Sequence, residues 1–328
     1  MPRSAFIIGG TGQIGIAAAA ELLRAGWQVT CSYTGRQEPH NVPTGASLAV
    51  VKRQDTDALS DAIGKVDLLV DTMAFGGKDA DQLAGLSGQY GHLCVISTAS
   101  VYADAEGRGL DGDTPEYPVP ILETQRLLPP GPDSYSSAKV ELENRLCEVV
   151  PRPLTILRPC AIHGINSKHP REWWFVKRML DGRKRIPLVF GNSTFHTSAT
   201  ANIAALIAAT AALPGVHIFN AGDPDPPAVR GVGETMAARL GWTGEFVDMP
   251  PDSVVGQTPF SATNPIIVSM DAAAALGYRP AGSYAETTAP YVEWMKRNTA
   301  EWKTAFPMFG HYPSDPFDYA AEDAALAG

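Results

Sequence analysis

Tyr135 and Lys139, four residues apart in the string YSSAK, carry the chemistry most directly readable in this sequence. On a helix the two share a face. An ammonium beside a phenol draws the phenol's pKa down, so the tyrosine can exchange a proton with a substrate oxygen. The bland alternative is a surface pair of i,i+4 residues. Their place at the start of a helix over 134–149, just before an apolar strand, favours the chemical role. A third candidate, Thr98, closes the preceding apolar run His92-Leu93-Cys94-Val95-Ile96-Ser97. At the C-terminal end of a parallel strand its hydroxyl can hydrogen-bond a reacting oxygen.

The string GGTGQIG at residues 9–15 follows the apolar run SAFII and opens a helical pattern over 14–25. The spacing G-x-x-G-x-x-G puts glycines at Gly9, Gly12 and Gly15, with Gln13 and Ile14 beginning the helix. Glycines allow a tight turn and close approach to a pyrophosphate, and the helix start offers free N–H groups and positive potential. A dinucleotide is the expected ligand; a turn without a ligand is the alternative, weakened by the strand–loop–helix context. In such sites the second strand ends in an acid that binds the ribose when the cofactor is NAD. Here that stretch reads Thr30-Cys31-Ser32-Tyr33-Thr34-Gly35-Arg36, with no acid. NADP is therefore expected, with NAD as the alternative. Arg36 would pair with a 2′-phosphate, unless it is a solvated loop residue, and Lys52 or Arg53 could help. Ser32 is an expected cofactor contact, and Asp55 could reach the adenine.

The elements that must hold these groups alternate. Strand patterns at 4–8, 27–32, 48–51, 66–71, 92–97 and 154–157 are separated by helical patterns at 14–25, 56–63, 82–88 and 134–149. That alternation predicts an α/β fold, a doubly wound parallel sheet of the Rossmann type. The second half is richer in proline and aromatics, with helical stretches at 173–180 and 199–212 and a strand at 216–220 that could rejoin the sheet. The expected division is a dinucleotide-binding domain at 1–162, rejoined by about 196–222, with 163–328 mainly a smaller C-terminal substrate-binding region. The long proline-rich loop 104–132 is of the kind that forms lids.

The strings GGTGQIG, ISTASVY, YSSAK with Glu143 four residues on, LRPCAIHG, FNAGDP and LGYRP followed by Trp294 occur in an order and spacing that resembles the extended short-chain dehydrogenases, also called the NAD-dependent epimerase/dehydratase family. The resemblance spans about residues 5 to 298. It implies that Thr98 stands in for the family's catalytic Ser/Thr, that Tyr135 is the general acid/base and that Lys139 also binds the nicotinamide ribose. It implies that Thr72, Met73 and Ala74 line the cofactor and that Pro159 to Ile162 flank the nicotinamide. It also implies a homodimer formed through the helix that begins near Tyr135. Two departures stand out. The stretch Gly191-Asn192-Ser193-Thr194-Phe195-His196-Thr197-Ser198 lacks the arginine that grips a diphosphate in sugar-nucleotide members, and the family's asparagine after the sixth strand falls at Ala161 or Ile162.

Those losses favour a smaller or neutral substrate. The expected activity is hydride transfer at a C–OH/C=O carbon by a reductase or dehydrogenase. The alternative is a retained-cofactor epimerase or dehydratase acting on a nucleotide sugar, and a non-catalytic dinucleotide sensor or RNA-binding relative is a third. Expected substrate contacts are Ser100, His163, Trp174 and His196, with His169, Arg171 and Trp173 in the same stretches. Each has a plainer role: Ser100 in a turn, the tryptophans in a core. Trp302, Phe306, Phe309 and Tyr312 belong over the substrate cleft or in a subunit contact.

Composition narrows the class. A 328-residue chain with 45% hydrophobic and 19% charged residues builds a sizeable core. The net charge of −9 disfavours nucleic-acid and anionic-membrane binding, which need a positive surface. The uncharged stretch 198–216 is alanine-rich and broken by Pro214, so it reads as a buried helix and not a membrane span. Four cysteines without metal or redox spacing, and an N-terminus running straight into a strand, fit a reduced cytoplasmic setting. No metal is expected.

Overall fold

A computed structural model of the chain describes residues 2–36, 38–112, 114–151 and 153–327; Met1, Gln37, Asp113, Arg152 and Gly328 lie outside them. The first part runs β1 (Ser4–Ile8), α1 (Gln13–Arg24), β2 (Gln28–Tyr33), β3 (Ser47–Val50), α2 (Thr56–Ile63), β4 (Val66–Asp71), α3 (Gly77–Gly85), β5 (Tyr90–Ile96), α4 (Tyr135–Val149) and β6 (Leu154–Pro159). After it come β7 (Ala161–His163), α5 (Trp173–Leu180), β8 (Arg185–Leu188), β9 (Thr197–Ala199), α6 (Thr200–Thr210), β10 (Val216–Ala221), α7 (Val229–Leu240) and β11 (Glu245–Asp248). The chain ends with α8 (Asp271–Ala275), α9 (Tyr284–Thr287), α10 (Ala289–Arg297), α11 (Trp302–Ala305) and α12 (Tyr319–Ala327).

Seven strands form one parallel sheet in the order β10-β6-β5-β4-β1-β2-β3. Apolar strands such as SAFII bury side chains on both faces, as a sheet covered on two sides requires. On one face, Ile14, Ala18 and Leu22 of α1 recur at helical spacing and pack with Ile203 and Ile207 of α6. On the other, Leu59, Leu83, Leu142 and Leu146 come from α2, α3 and α4. Strand order reverses at β1 and β4, and the glycine loop leaves β1 at that crevice, where α/β sheets bind ligands.

The expected strand at 216–220 does rejoin the sheet, as β10 against β6, with Leu157 opposite Phe219. That partner also lengthens β6 to Pro159, beyond the apolar run, because Asn220 and Ala221 pair with Arg158 and Pro159. The helix expected at 82–88 begins earlier, at Gly77, and gives way to a 3₁₀ turn at Ser87–Gln89. Its glycine start reads as loop, but Asp79 Oδ2 accepts from the Phe75 N–H and closes that end.

Outside the sheet, the parallel pairs β8–β11 and β7–β9 border a second core of Trp173, Trp174, Phe175, Tyr284, Tyr291 and Phe306. Buried Arg178 pairs with Glu322 and ties α12 to this core. The chain passes repeatedly between the two parts: α6 and β10 return to the sheet, and Ala273 of α8 packs in its core. Among the described residues no helix is long and apolar enough to cross a membrane.

Candidate active site

Sequence and position together fix the glycine loop. Gly9 has φ +74°, and an added Cβ there would meet Met73 Cγ and Thr72 Oγ1 at 2.5 Å. At Gly15 a Cβ would stand 2.4 Å from the Gly9 carbonyl oxygen, inside the turn itself. Gly12 is the N-cap of α1 and has no side chain to occupy the helix's free N–H groups, so the turn presents bare backbone donors. Ile14 anchors the first turn of α1 in the core. The Gln13 side-chain oxygen is buried without a partner among the described residues. Buried Ser32 accepts from the Gly9 N–H at 3.2 Å, so its hydroxyl supports the loop from beneath.

The loop after β4 forms the next wall. Buried Asp71 accepts from the N–H groups of Met73 and Ala74, at 2.7 and 2.9 Å. Thr72 Oγ1 donates to the Ile8 carbonyl at 3.0 Å. This leaves Met73 and Phe75 side chains exposed, with the Phe75 ring centroid 5.8 Å from that of Tyr135.

Tyr135 starts α4, whose N-terminus is capped by Ser134 and further held by Asp111, whose Oδ2 accepts from the Ser136 N–H at 3.1 Å. The phenol is half exposed. Burial raises its pKa and Asp111 adds to the rise, while the nearby Thr98 hydroxyl and the charge of Arg171 oppose it. One turn along, the buried Lys139 Nζ donates to the Ala74 carbonyl at 2.7 Å and the Ile96 carbonyl at 3.0 Å. Burial pulls its pKa down to about 8, against the charges of Asp71 and Glu143. It is therefore protonated at neutral pH, lies 5.9 Å from the Tyr135 ring centroid and has one N–H to spare.

A buried network braces this group. Ser97 Oγ donates to Glu143 Oε1 at 2.5 Å, and Arg158 donates to both Glu143 oxygens. Arg158 Nη1 reaches the Tyr102 hydroxyl at 3.1 Å, which donates to Asn220 Oδ1 at 2.6 Å. The residues before Thr98 and after Lys139 are thereby linked to β6 and β10.

A cavity of about 570 Å³ opens beside the phenol. Gln13, Thr98, Ser100, Tyr135, Pro159 and Ile162, all sequence-based candidates, line it together. Ser100 Oγ lies 3.1 Å from Thr98 Oγ1. The loop 104–132 supplies the roof through Leu110, Asp111 and Pro115, and is itself fastened by buried Asp104, which accepts from the N–H groups of Glu106, Arg108 and Glu116.

Among solved structures the chain is similar to UDP-glucose 4-epimerase of Thermotoga maritima with UDP-glucose, at 16% identity and TM-score 0.70 over 90% of this chain and 99% of that one. It is similar to Thermus thermophilus UDP-glucose 4-epimerase in complex with NAD, at 19% identity and TM-score 0.66, covering 89% and 99%. It is also similar to a dTDP-glucose 4,6-dehydratase from Bacillus anthracis in complex with NAD, at 18% identity and TM-score 0.66, covering 92% and 99%. The chain shares the fold of these three structures. No family model and no curated protein matches the sequence.

On this fold, three expected substrate contacts lie away from the cavity. His163 is buried, bonded to Asp223 Oδ2 at 2.9 Å and packed on Tyr284 and Tyr291. Asp223 also accepts from Thr197, Ala199 and Asn202. Burial pushes the Asp223 carboxyl up, but these bonds outweigh it and hold it at about 2; burial pulls His163 down, and Asp223 reverses this to leave it raised. His196 is buried, accepting from the Val268 N–H at Nδ1 and donating from Nε2 to the Asp223 carbonyl. Trp174 is core, with Arg178 stacked 3.5 Å over its ring. All three were candidates because their side chains could bind ligands; the second core claims them instead.

Two cofactor candidates also change role. Asp55 is the N-cap of α2 and accepts from the Ala58 N–H at 3.1 Å. Arg53 is turned inward onto Asp71 and Asp79, at 2.6 and 2.7 Å, and is not available to a 2′-phosphate. Arg36 stays exposed after β2, without an ion pair among the described residues.

His169 and Arg171 do line the cavity, together with Ser167, Phe195 and the segment 261–264. A signal for them exists. The helix they precede, WWFV at 173–176, is too apolar to leave exposed, so the polar residues ahead of it fall at the rim. His169 Nε2 bonds the Tyr312 hydroxyl at 2.9 Å, and Phe306 and Phe309 sit in the second core, so the C-terminal tail backs the cavity wall. Nothing in the sequence marks 261–264.

Proposed function

We propose that this chain is an NADP(H)-dependent oxidoreductase that transfers hydride at a C–OH/C=O carbon of a small molecule, acting as a reductase or dehydrogenase. The single observation that carries this is that Tyr135 and Thr98 line one cavity together with Gln13 of a glycine turn that a Cβ would fill, with the buried Lys139 Nζ 5.9 Å from the Tyr135 ring centroid. The residues fit a dinucleotide. Backbone N–H groups at Gln13 to Gly15 would hold the pyrophosphate, Gln13 offers a buried unpartnered oxygen, and Thr72 to Ala74, Pro159 and Ile162 would flank the path to the phenol.

A bound nicotinamide supplies or accepts the hydride. In the reducing direction Tyr135 and Thr98 donate hydrogen bonds to the carbonyl oxygen. Tyr135 gives up its proton as the carbon is reduced, and the Lys139 ammonium stabilises the phenolate left behind. The free Lys139 N–H is available to a ribose hydroxyl. Ser100 is set to touch the substrate beside Thr98. NADP is favoured over NAD because no carboxylate ends β2 and Arg36 has no ion pair there among the described residues; the NAD named for the similar structures is the competing choice.

A retained-cofactor epimerase is the second reading. Asn41 Nδ2 donates to Asn166 Oδ1 at 2.8 Å, and Asn166 Nδ2 reaches the His40 and Thr11 carbonyls, forming a clasp over the glycine loop. NADPH absorbance on addition of carbonyl substrates separates the two: a reductase consumes it in step with product, an epimerase turns over without net change. Tyr135→Phe should lower either activity by roughly 10²–10⁴-fold; unchanged turnover would remove the enzymatic reading.

The proposal includes a homodimer paired through α4 in a cytoplasmic setting; the four free thiols bear on the reducing setting and the pairing rests on the family resemblance. The outer faces of α3 and α4 carry Asp81, Arg145 and Glu148, so that interface would be charged. Sedimentation of the full chain measures it.

A further inference from the structure

The cavity beside Tyr135 is lined by one cation that no carboxylate among the described residues neutralises. Among the described residues, every other buried or half-buried arginine has a carboxylate partner: Arg53 with Asp71, Arg158 with Glu143, Arg178 with Glu322, Arg183 with Asp323, Arg230 with Asp248 and others alike. Arg171 is half-buried, lines the cavity and forms neither an ion pair nor a side-chain hydrogen bond with them. Its neighbour in sequence, Glu172, is turned away into the second core, where its two oxygens accept from the Tyr284 and Tyr291 hydroxyls. Nearby His169 is held neutral, with burial and then the charge of Arg171 bringing it down to about 3. The described carboxylate of the lining, Asp111, is engaged with the start of α4.

We propose that the substrate carries an anionic group, a carboxylate or a phosphate, and that Arg171 is the residue that binds it within the cavity that holds Tyr135. This rests on the oxidoreductase reading and narrows its substrate class. A guanidinium fork matches either anion with two parallel N–H bonds. Partial desolvation strengthens that pairing and makes an idle guanidinium costly, which is why the others are paired. The chain's net charge of −9 repels anions in general, so a local cation is needed to select one. The arginine absent from 191–198 is thereby replaced from a different segment, ahead of α5.

The test uses the full chain saturated with NADPH and four probes at equal millimolar concentration: glucuronate, glucose 1-phosphate, UDP and glucose. Thermal shift and calorimetry read binding. The expected result is a rise in Tm with at least one anionic probe and none with glucose, and a loss of affinity of roughly tenfold or more in Arg171→Gln. Arg171→Lys, which keeps the charge without the fork, should fall between. Which probe responds tells carboxylate, phosphate monoester and diphosphate apart. Equal anion binding by wild type and R171Q, or no response to any anionic probe, overturns the proposal. NADPH binding is the internal control. If it persists while anion selectivity is absent, only the role of Arg171 fails; if neither NADPH nor NADH binds, the oxidoreductase reading fails first.

Discussion

Thr98 and Lys139 both stand near one phenol: the Thr98 hydroxyl holds the pKa of Tyr135 down against burial, and the Lys139 Nζ lies 5.9 Å from the ring centroid. Removing the hydroxyl by Thr98→Val takes away the larger of the two groups that oppose the effect of burial on Tyr135, so its pKa rises further. The pH profile for alcohol oxidation should then move to higher pH, with activity at neutral pH lowered by roughly 10²-fold or more; an unmoved profile would separate Thr98 from the proton transfer. The buried His163–Asp223 pair makes a different prediction. His163 is raised in the fold, so its share of stability is complete below pH 6.5 and fades as pH climbs through its folded value. Asp223 is lowered, so its share is present above pH 3.8 and is lost as pH falls toward 2. His163→Ala should cost ~3–5 kcal/mol near pH 5 by stranding a buried carboxylate. That deficit should shrink below pH 3.8 as Asp223 takes up a proton, as denaturant titrations at several pH values would measure. Tyr135, Lys139 and the glycines are legible in the sequence because their geometry is local: four residues along a helix, three along a turn. Burial is a property of the assembled chain, and so His163, Trp174 and His196 could not be told from ligand-binding residues of the same type.

The strands and helices of the sheet follow from apolar period and capping signals, and 56–63, 66–71 and 173–180 match element for element. What periodicity does not report is which loops meet. Asn41 and Asn166 are 125 positions apart, and both have left-handed backbones, at φ 61° and 63°. Asparagine tolerates that region better than most residues, and the mutual hydrogen bond compensates for it. Asn166→Ala should speed NADPH release by roughly fivefold, for a bond worth ~1 kcal/mol, when bound NADPH fluorescence is chased with excess unlabelled NADP. A release rate equal to wild type would mean that the clasp does not restrain the dinucleotide. The sequence also left the tail after 299 between two roles; its aromatic side chains join the second core, and Tyr312 reaches the cavity wall through His169.

At the scale of the molecule, the expected boundary at 162, with about 196–222 returning to the first part, divides the sequence more cleanly than it divides the core. α6, β10 and α8 all come from beyond it and pack with the first part. A chain ended at 162 would lose the partner of β6 and the helix beside α1, leaving Leu157, Val29 and Ala18 without much of their cover. Successive returns of the backbone stitch the two regions together at several points, unlike a pair of lobes joined by one or two strands of chain. A clamshell motion about a narrow hinge is thus denied to this architecture. Traffic through the cavity falls to surface segments such as the 104–132 roof and the Asn41 loop. Proteases should nick those segments first, and the severed pieces should still elute as one particle until denaturant is added.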